Sequence, residues 1–348
     1  MFKGRGAQKQ VRNRFLQHEY VARHIEGLDE PLLDNSATKY IKIYPKTIVN
    51  KVESPDVGMD YSLNPYQGCE HGCIYCYARN SHEYWGYGAG LDFERVIMVK
   101  ENAARLLEKH LQNPNWEPKP IVLSGNTDCY QPIERKLKIT RSLLEVFLKY
   151  RHPVGMITKN VTVLRDLDII GPLADMDLFA MNFSLTTLDE NVRRKLEPRT
   201  ATAKAKLNAI QKLSERGVRV NLMIGPVIPG LNDHEIPELM RLASEAGAKS
   251  VGFTMVRLNG VIGEIFEDWV HQAFPDKAEK ILNQIKGAHG GSLNDSRYGT
   301  RMRGEGRMVQ SIHRLFQLSK AKYFEPHAHP PLRSDLFIKT RKGQMNIF

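Results

Sequence analysis

Three of the four cysteines in this 348-residue chain, Cys69, Cys73 and Cys76, lie within eight residues of one another. Their spacing, Cys-x3-Cys-x2-Cys, places three thiols on one short loop, where each thiol could bind a different iron of a cubane cluster. The fourth cysteine, Cys129, follows much later in the chain. If Cys129 is not a ligand, one iron keeps an open coordination position, which is typical of a catalytic metal site. The spacing therefore predicts a [4Fe–4S] cluster with one iron open.

A zinc knuckle is the alternative interpretation of the same cysteines, with His71 or a more distant histidine as the fourth ligand. Structural zinc sites normally combine one close pair of ligands with a second, distant pair. The candidates for a distant pair, His289 and the neighbours His327 and His329, do not form an obvious one. The pattern therefore favours the iron–sulfur cluster over zinc.

The net charge of +11 is concentrated at the two ends of the chain. Residues 1–18 carry a net charge of +5 and residues 297–348 a net charge of +8, so the middle of the chain sums to −2. Basic ends attract polyanions, of which nucleic acid is the first candidate. Solvated tails that aid solubility show the same pattern, so the charge alone leaves both interpretations open.

Four arginines of the second basic end lie in a glycine-containing segment, residues 296–307. The planar guanidinium group of arginine suits bidentate binding of phosphate. We therefore consider these side chains as candidates for phosphate contacts, against the alternative of a solvated basic loop. They are Arg297, Arg301, Arg303 and Arg307.

No run of residues approaches the eighteen or so apolar residues of a membrane span. The first fifteen residues also lack the apolar stretch of a secretory signal. Four cysteines in a chain of this length do not suggest a disulfide framework. We expect a cytoplasmic protein without a membrane partner.

Short apolar runs predict β-strands, and the last five of them alternate with stretches of helical periodicity. Such alternation predicts a buried parallel sheet covered by helices. The alternating part is shorter than the 250 or so residues of a closed eight-fold barrel. The predicted fold is therefore α/β, a partial (β/α)6 TIM-type barrel with N- and C-terminal extensions. The predicted strands are residues 95–100, 120–125, 153–159, 177–185, 218–225 and 250–258.

The chain divides by pattern into four predicted segments. Residues 1–57 form a basic N-terminal extension and residues 58–275 the core barrel. Residues 276–323 form a helical and basic segment, with a helix expected over 308–323. Prolines then interrupt the chain, so residues 324–348 are expected to be an extended tail.

The motif NPYQGCEHGCIYCYAR, with an aromatic residue directly before the last cysteine, resembles the signature of the radical S-adenosylmethionine (SAM) superfamily. Together with TDCYQPIE, ITK, LEPRT and PGLND, it resembles the spore-photoproduct-lyase-like branch, the DNA repair photolyase type. The resemblance covers about residues 58–310. It implies a [4Fe–4S] cluster, an external electron donor, and reductive cleavage of SAM to a 5′-deoxyadenosyl radical that abstracts hydrogen from a substrate.

The resemblance also implies residues that bind SAM. Asp128, in a variant of the loop after the second barrel strand, would bind the amino group, as a carboxylate beside an ammonium can. Its alternative role is to cap a helix. Lys159, at the end of the third strand, would bind the SAM carboxylate, and its alternative is a solvated strand end. Tyr75, the aromatic residue of the signature, completes this part of the cofactor site.

Two further residues follow from the resemblance. Ser184 ends the fourth predicted strand and would bond the ribose of SAM. Arg199, in LEPRT, would be a second partner of the SAM carboxylate, or alternatively a partner for Glu197. Asn232 and Asp233 would lie near the adenine and ribose. The role of Cys129 stays open, with a buried inert thiol preferred.

The chain ends in QMNIF, residues 344–348. This ending resembles the short peptide by which bacterial DNA repair proteins bind the replication sliding clamp. Extended peptides of this type insert apolar anchors into a pocket of the partner. The alternative is an accidental apolar end.

Three functions remain open from the sequence. The first is a radical SAM enzyme, possibly a lyase, acting on nucleic acid in DNA repair. The second is a radical SAM enzyme that modifies a protein or a small molecule. The third is a non-catalytic iron–sulfur or zinc protein that binds DNA. Binding of DNA as a function of salt separates the first two, and cleavage of SAM separates both from the third.

Overall fold

The computed structural model describes residues 4–11, 13–15, 37–326 and 330–339 of the chain. The strands of these described residues are β1 (Lys39–Ile43), β2 (Val49–Lys51), β3 (Tyr61–Leu63), β4 (Tyr66–Gln67), β5 (Val96–Lys100), β6 (Ile121–Leu123), β7 (Val154–Thr158), β8 (Phe179–Ser184), β9 (Arg219–Val227) and β10 (Ser250–Met255). The predicted clamp-binding residues 344–348 lie outside the described part.

The helices follow the strands along the chain. They are α1 (Asp92–Arg95), α2 (Ala103–Leu111), α3 (Glu134–Leu137), α4 (Ile139–Lys149), α5 (Leu167–Asp175), α6 (Glu190–Leu196), α7 (Ala203–Glu215), α8 (Ile236–Glu245), α9 (Ile262–Ala273), α10 (Ala278–Ala288) and α11 (Arg307–Tyr323). Short 3-10 helices occur at Tyr77–Trp85, Val161–Asp166, Asp233–Glu235 and Pro275–Lys277. Among the described helices, none is both long and apolar enough to span a membrane.

The main sheet has seven strands in the order β10-β9-β8-β7-β6-β3-β2. Six of them pair in parallel, namely β3, β6, β7, β8, β9 and β10, and β2 pairs antiparallel with β3 at one edge. The sheet is open, with β10 and β2 at opposite edges. This arrangement confirms the predicted partial (β/α)6 barrel, whose carboxyl strand ends share one edge.

One predicted strand lies elsewhere, and one barrel strand was missed. The run at 95–100 does form β5, but β5 is the centre of a separate three-stranded sheet with β1 and β4. The sixth barrel strand is instead β3, which is only three residues long and precedes β4 and the cysteine loop. A strand this short shows no alternation in the sequence, so only its pairing with β6 identifies it.

Helices cover the outer face of the sheet because their apolar positions recur at spacings of three and four residues. In α4, for example, Leu143, Leu144 and Phe147 are fully buried in the main core. Local sequence also sets helix starts: the Thr202 hydroxyl accepts a hydrogen bond of 3.2 Å from the Ala205 N–H at the beginning of α7.

The segments predicted as extensions also pack onto the barrel. Residues Ala7 and Val11 of the N-terminal segment share a second apolar cluster with α9 and α10. The Phe316 ring of α11 lies 4.4 Å from the Phe253 ring of β10, centroid to centroid. The predicted helix over 308–323 is thus confirmed as α11.

Candidate functional site

The cysteine loop lies between β4 and the 3-10 helix Tyr77–Trp85, and its two glycines determine its path. Gly68 and Gly72 adopt φ angles of +78° and +69°, in the left-handed region. A Cβ at Gly68 would lie 2.6 Å from the Val96 carbonyl oxygen, and one at Gly72 would lie 2.8 Å from the Glu94 carboxylate. Both positions therefore require glycine, which lets the loop fold tightly against α1 and β5.

The three thiols of this loop are largely enclosed. Cys69 and Cys73 are each 7% exposed, and Cys76 is partly buried. Burial raises the pKa of all three thiols, so thiolates here require a positive partner such as a metal centre. At Cys76, the Arg79 charge and the backbone N–H groups of Ala78 and Arg79 offset part of the effect of burial on the thiol pKa. Such N–H groups also tune the potential of iron–sulfur clusters, so the donor set fits one.

The arrangement of the loop does not match a single-ion site. A structural zinc ion needs four ligands that all lie about 2.3 Å or less from one point. In the described part of the chain, no group of three or more His, Cys, Asp or Glu side chains is placed to hold one ion. An iron–sulfur cubane takes one thiolate at each of several irons, so it does not require three thiols around one point.

A buried ion pair supports the loop from behind. The Arg79 side chain is fully buried, and its Nη2 lies 2.5 Å from Oε1 of the equally buried Glu94. The same guanidinium donates from Nε to the Cys73 carbonyl at 3.0 Å and from Nη1 to the carbonyls of Ala89 and Gly90. One side chain thus fixes the backbone of a cluster ligand to the segment that precedes α1.

The N-terminal segment contacts the other side of that carboxylate. The N–H groups of Gly6 and Ala7 donate to Glu94 at 3.0 and 2.8 Å, and Arg5 Nη1 donates to the Glu94 carbonyl at 2.6 Å. A Cβ at Gly6 would lie 1.7 Å from the Gly72 carbonyl oxygen. The predicted basic extension is therefore packed against the cysteine loop, and Arg5 is only 7% exposed.

Asp128, predicted to bind the SAM amino group, lies in the loop after β6 and connects three elements. Its carboxylate accepts hydrogen bonds from the Thr158 hydroxyl at 2.6 Å and from the N–H groups of Lys159 and Tyr130, each at 2.8 Å. His71 Nδ1, from the cysteine loop, lies 3.3 Å away. Burial raises the pKa of Asp128, but the His71 ring and these hydrogen bonds hold the pKa below its ordinary value. Asp128 does not cap a helix.

Lys159 and Tyr75, two predicted SAM-binding residues, meet at the buried carboxylate of Glu197. Lys159 Nζ lies 3.2 Å from Glu197 Oε1, and the Tyr75 hydroxyl donates to the same carboxylate. Lys159 Nζ also lies 5.6 Å from the centre of the Tyr75 ring and donates to the Gly225 carbonyl at 3.1 Å. Lys159 is therefore a buried cation at the carboxyl end of β7, not a solvated strand end.

The Glu197 carboxylate is the functional group that the sequence interpretation missed. It also accepts hydrogen bonds from Thr186 at 2.6 Å and Thr200 at 3.2 Å, and Lys206 Nζ lies 3.3 Å from it. Burial raises its pKa, but Lys159 and Lys206 outweigh burial and hold the pKa far below the ordinary value. Burial lowers the pKa of both lysines, and the Glu197 carboxylate raises it. The carboxylate outweighs burial at Lys159, whose pKa is raised, but not at Lys206, whose pKa is lowered.

Ser184 and Arg199, the other two predicted SAM-binding residues, differ in burial. Ser184 ends β8 and is 5% exposed. Arg199 donates from Nε to the Gly4 carbonyl at 3.0 Å, and its Nη1 lies 3.7 Å from the Glu70 carboxylate. Its ion-pair partner is therefore Glu70 and not Glu197, and its predicted contact with SAM stays a prediction.

Cys129 lies apart from the other three cysteines. It is fully buried in the main core, and burial raises the pKa of its thiol. Its N–H donates to the Ser124 hydroxyl at 2.7 Å, and its carbonyl accepts from Thr140 at 2.7 Å. These contacts support the interpretation of Cys129 as a packing residue.

Two of the four arginines considered for phosphate binding are neutralised within the protein. Arg297 Nη2 lies 2.8 Å from the Asp295 carboxylate and 2.6 Å from the Glu305 carboxylate. The Arg301 guanidinium pairs with Asp56, and its side chain is 15% exposed. These two guanidinium groups already have acidic partners.

Comparison with known proteins identifies the family of the chain. Residues 63–243, just over half of the chain, match the family model described as the Radical SAM superfamily. An uncharacterized protein of Mycobacterium tuberculosis is 31% identical over 234 residues, which cover 66% of this chain and 69% of that protein. An uncharacterized protein of Methanocaldococcus jannaschii is 29% identical over 251 residues, covering 72% of this chain and 89% of that protein.

Among solved structures, spore photoproduct lyase complexed with dinucleoside spore photoproduct is similar, with a TM-score of 0.61 and 16% sequence identity. The match covers 83% of this chain and 81% of the lyase. A second structure of that enzyme, a double mutant with bound AdoMet and the same photoproduct, has a TM-score of 0.59. These matches show a shared fold.

Proposed function

Because the chain belongs to the radical SAM superfamily, we propose that it is a radical SAM enzyme that acts on nucleic acid, with lyase chemistry of the DNA repair type. The family uses a [4Fe–4S] cluster and SAM, and the buried thiols and the N–H groups directed at Cys76 fit the cluster. When bound, these cofactors supply a radical able to abstract hydrogen from an unactivated carbon.

The protein supplies the binding sites and their electrostatics. Cys69, Cys73 and Cys76 would hold the cluster. Lys159, held in place by Glu197, carries the charge that suits the SAM carboxylate, and the Tyr75 ring lies beside it. Lys159 and Glu197 are both electrostatic neighbours of Cys73, which supports placing SAM beside the cluster.

The observation that best supports a nucleic-acid substrate is a set of exposed aromatic residues in Tyr77–Trp85, the 3-10 helix that follows the last cysteine ligand. Tyr77 is 55% exposed, Tyr84 74% and Trp85 47%. The Phe15 ring stacks on Tyr84 at 4.8 Å, and the Arg14 guanidinium lies over Phe15. Exposed aromatic rings on one short segment offer faces on which bases can stack.

Basic charge near the carboxyl end of the chain provides a second support. Helix α11 contains no acidic residue and carries Arg307, Arg314, Lys320 and Lys322. Its first turns border an open cleft of about 590 Å³, which Arg303 also lines. Glu305 also lines the cleft and is paired with Arg297, whereas Arg303, Arg307 and Arg314 have no acidic partner in the described part of the chain. Such cations attract the phosphate backbone without selecting a sequence.

The fold supports the type of reaction. Spore photoproduct lyase, which shares this fold over most of both chains, has been solved with a dinucleoside photoproduct. A lyase acting on a damaged or modified nucleotide would need the features proposed for this chain: a cluster loop, a cationic SAM site and stacking surfaces.

The decisive experiment is anaerobic reconstitution followed by reduction with dithionite, which replaces the external electron donor. We expect SAM to be converted to methionine and 5′-deoxyadenosine, and ultraviolet-irradiated DNA to stimulate this conversion. Iron-loaded protein that does not cleave SAM would exclude the enzymatic proposal. SAM cleavage with no binding of DNA at low salt would instead favour a protein or small-molecule substrate.

The stacking surface can be tested by fluorescence anisotropy with labelled single-stranded DNA. Stacking contributes about 1–3 kcal/mol per base, so we expect Tyr84→Ala and Trp85→Ala each to weaken binding by about tenfold. Tyr44→Ala is the matched control, because Tyr44 is also exposed, at 66%, but lies outside this group. Equal affinities in all three variants would contradict the proposed surface.

A further inference from the structure

Arg257 lies two residues beyond the end of β10, at the edge of the barrel where the carboxyl ends of the strands meet. Its side chain is partly buried, yet it makes no hydrogen bond or ion pair with any other residue described in the structure. None of its nitrogens is fully buried, so an anion from solution can reach the guanidinium. Partial burial of a charge costs free energy, which a bound counter-ion would offset.

None of the charged groups around Arg257 forms an ion pair with it. Its electrostatic neighbours include Arg301, Asp56 and Asp295. Asp56 already accepts hydrogen bonds from Arg301 and from the Gly299 N–H at 2.7 Å, and Asp295 is paired with another arginine. Burial and then repulsion by Arg301 lower the pKa of Arg257, and the acidic neighbours offset this only in part. The guanidinium therefore lacks a counter-ion of its own.

The position of Arg257 connects it to the cluster loop. Tyr77, which directly follows the ligand Cys76, is also among its electrostatic neighbours. The Tyr77 hydroxyl donates to the Gly125 carbonyl, in the loop after β6. Asn80, in the same 3-10 helix, donates to the Asn259 carbonyl at 2.8 Å, two residues beyond Arg257. Tyr77 and the Arg257 guanidinium thus border the same region.

We propose that Arg257 binds a phosphate of the substrate and so positions a nucleotide beside the cluster loop. This inference rests on the proposed function, because it names the group by which a nucleic acid is held. A guanidinium can bind two phosphate oxygens at once, which fixes orientation as well as charge. The SAM carboxylate is the other anion that could reach this region, and the experiment separates the two.

The test is chemical modification of arginine by phenylglyoxal in the anaerobically reconstituted protein, with mass spectrometry of the peptides. We expect a single-stranded thymidine oligonucleotide, and separately inorganic phosphate, to protect Arg257 from modification. Arg105, an exposed arginine of α2, is the control that neither should protect. Protection of Arg257 by SAM alone would assign it to the cofactor and overturn the inference.

The variant Arg257→Gln gives a second measurement on the full chain. We compare binding of the dinucleotide TpT with its uncharged methylphosphonate analogue. A charge-assisted contact predicts a preference of the native protein for TpT of about ten- to a hundredfold. Arg257→Gln should abolish this preference, while Arg105→Gln should retain it.

The two arms distinguish failure of the inference from failure of the proposed function. Protection by inorganic phosphate without binding of any oligonucleotide would keep the phosphate site and exclude the nucleic acid as substrate. Binding of the oligonucleotide with unchanged preference in Arg257→Gln would keep the substrate class and overturn the role of Arg257. Absence of protection by both probes would also overturn it.

Discussion

At the scale of single residues, one buried carboxylate organises the region next to the cluster loop. Glu197 connects Tyr75 of the cysteine loop, Lys159 at the end of β7 and Lys206 of α7. The Glu197 carboxylate and Lys206 are fully buried and the Lys159 side chain is 16% exposed, so an ionised group here must be paired. Glu197 therefore fixes the position and charge of the lysine proposed to bind SAM.

Glu197→Gln should destabilise the protein strongly because it leaves two buried ammonium groups without a counter-charge. Removing one partner of a buried ion pair costs about 3–5 kcal/mol of unfolding free energy. Urea unfolding of the metal-free protein measures this loss directly. The control Glu238→Gln breaks an exposed pair with Arg241 and should cost no more than about 1 kcal/mol.

The double variant Glu197→Gln/Lys206→Met tests the reason for that loss. It removes one charge of each sign, so it should recover part of the stability that Glu197→Gln loses. If the double variant is as unstable as the sum of two independent changes, then the uncompensated lysine is not the cause.

The cysteine variants test the cluster at the same scale. Replacing Cys69, Cys73 or Cys76 by Ala should prevent incorporation of iron, because each supplies one thiolate. Cys129→Ala should retain about four irons and four sulfides per chain, since a [4Fe–4S] cluster with an open iron needs only the other three. Iron and sulfide analysis of anaerobically purified protein checks both results. Stoichiometric zinc in native protein would contradict the assignment.

At the scale of elements, the path of the cysteine loop depends on close contact as well as on backbone conformation. Gly68 and Gly86 have nearly the same φ angle, +78° and +83°. A Cβ at Gly68 would lie 2.6 Å from the Val96 carbonyl, whereas nothing lies within 4 Å of a Cβ at Gly86. The two positions therefore separate backbone strain from steric overlap.

Gly86→Ala should cost about 1–2 kcal/mol of unfolding free energy, the strain of a left-handed backbone. Gly68→Ala should cost more and should also reduce iron incorporation, because the loop must move away from β5. Urea unfolding and iron analysis of both variants measure the difference. Equal losses of stability with full iron content in both would show that the contact with Val96 does not matter.

At the scale of the whole molecule, the N-terminal segment is part of the cluster site. Gly6 and Ala7 bind the Glu94 carboxylate that supports the cysteine loop. The charge of Arg5 is buried, and Arg14 is paired with Glu83 at 2.7 Å. From the sequence we expected this end to be a basic tail that binds nucleic acid. Two of its cations, Arg5 and Arg14, are instead buried or paired within the protein.

Deleting residues 1–15 should accordingly lower iron incorporation and accelerate loss of the cluster in air. The physical reason is that the deletion removes two donors to Glu94 and uncovers the back of the loop. Absorbance of the cluster over time after exposure to air is the measurement. Deleting QMNIF is the control, and we expect it to leave iron content and DNA binding unchanged. A deletion of residues 1–15 with native cluster lifetime would refute the role.

Local pattern was sufficient to predict most of the fold and to propose the cluster ligands. Strands β6 to β10 and helix α11 follow from runs and periodicities that extend over several residues, so the sequence predicts them. The spacing of three cysteines on one loop is also a local property. The resemblance to the family predicts Asp128 and Lys159 as site residues, and both lie where parallel strands bring their carboxyl ends to one edge.

Tertiary structure alone decided which distant groups meet. Tyr75 and Glu197 are 122 positions apart, and no local signal indicates that they share a hydrogen bond. The place of β5 in a second sheet, the use of β3 in the barrel and the pairing of Arg301 with Asp56 depend on contacts between remote segments in the same way. Periodicity and spacing record what a residue's neighbours in sequence require, whereas charge pairing and burial depend on neighbours in space. The sequence by itself thus determined the fold class and predicted the cluster ligands. The packed chain decided which charges are paired and which, like Arg257, have no partner among the described residues.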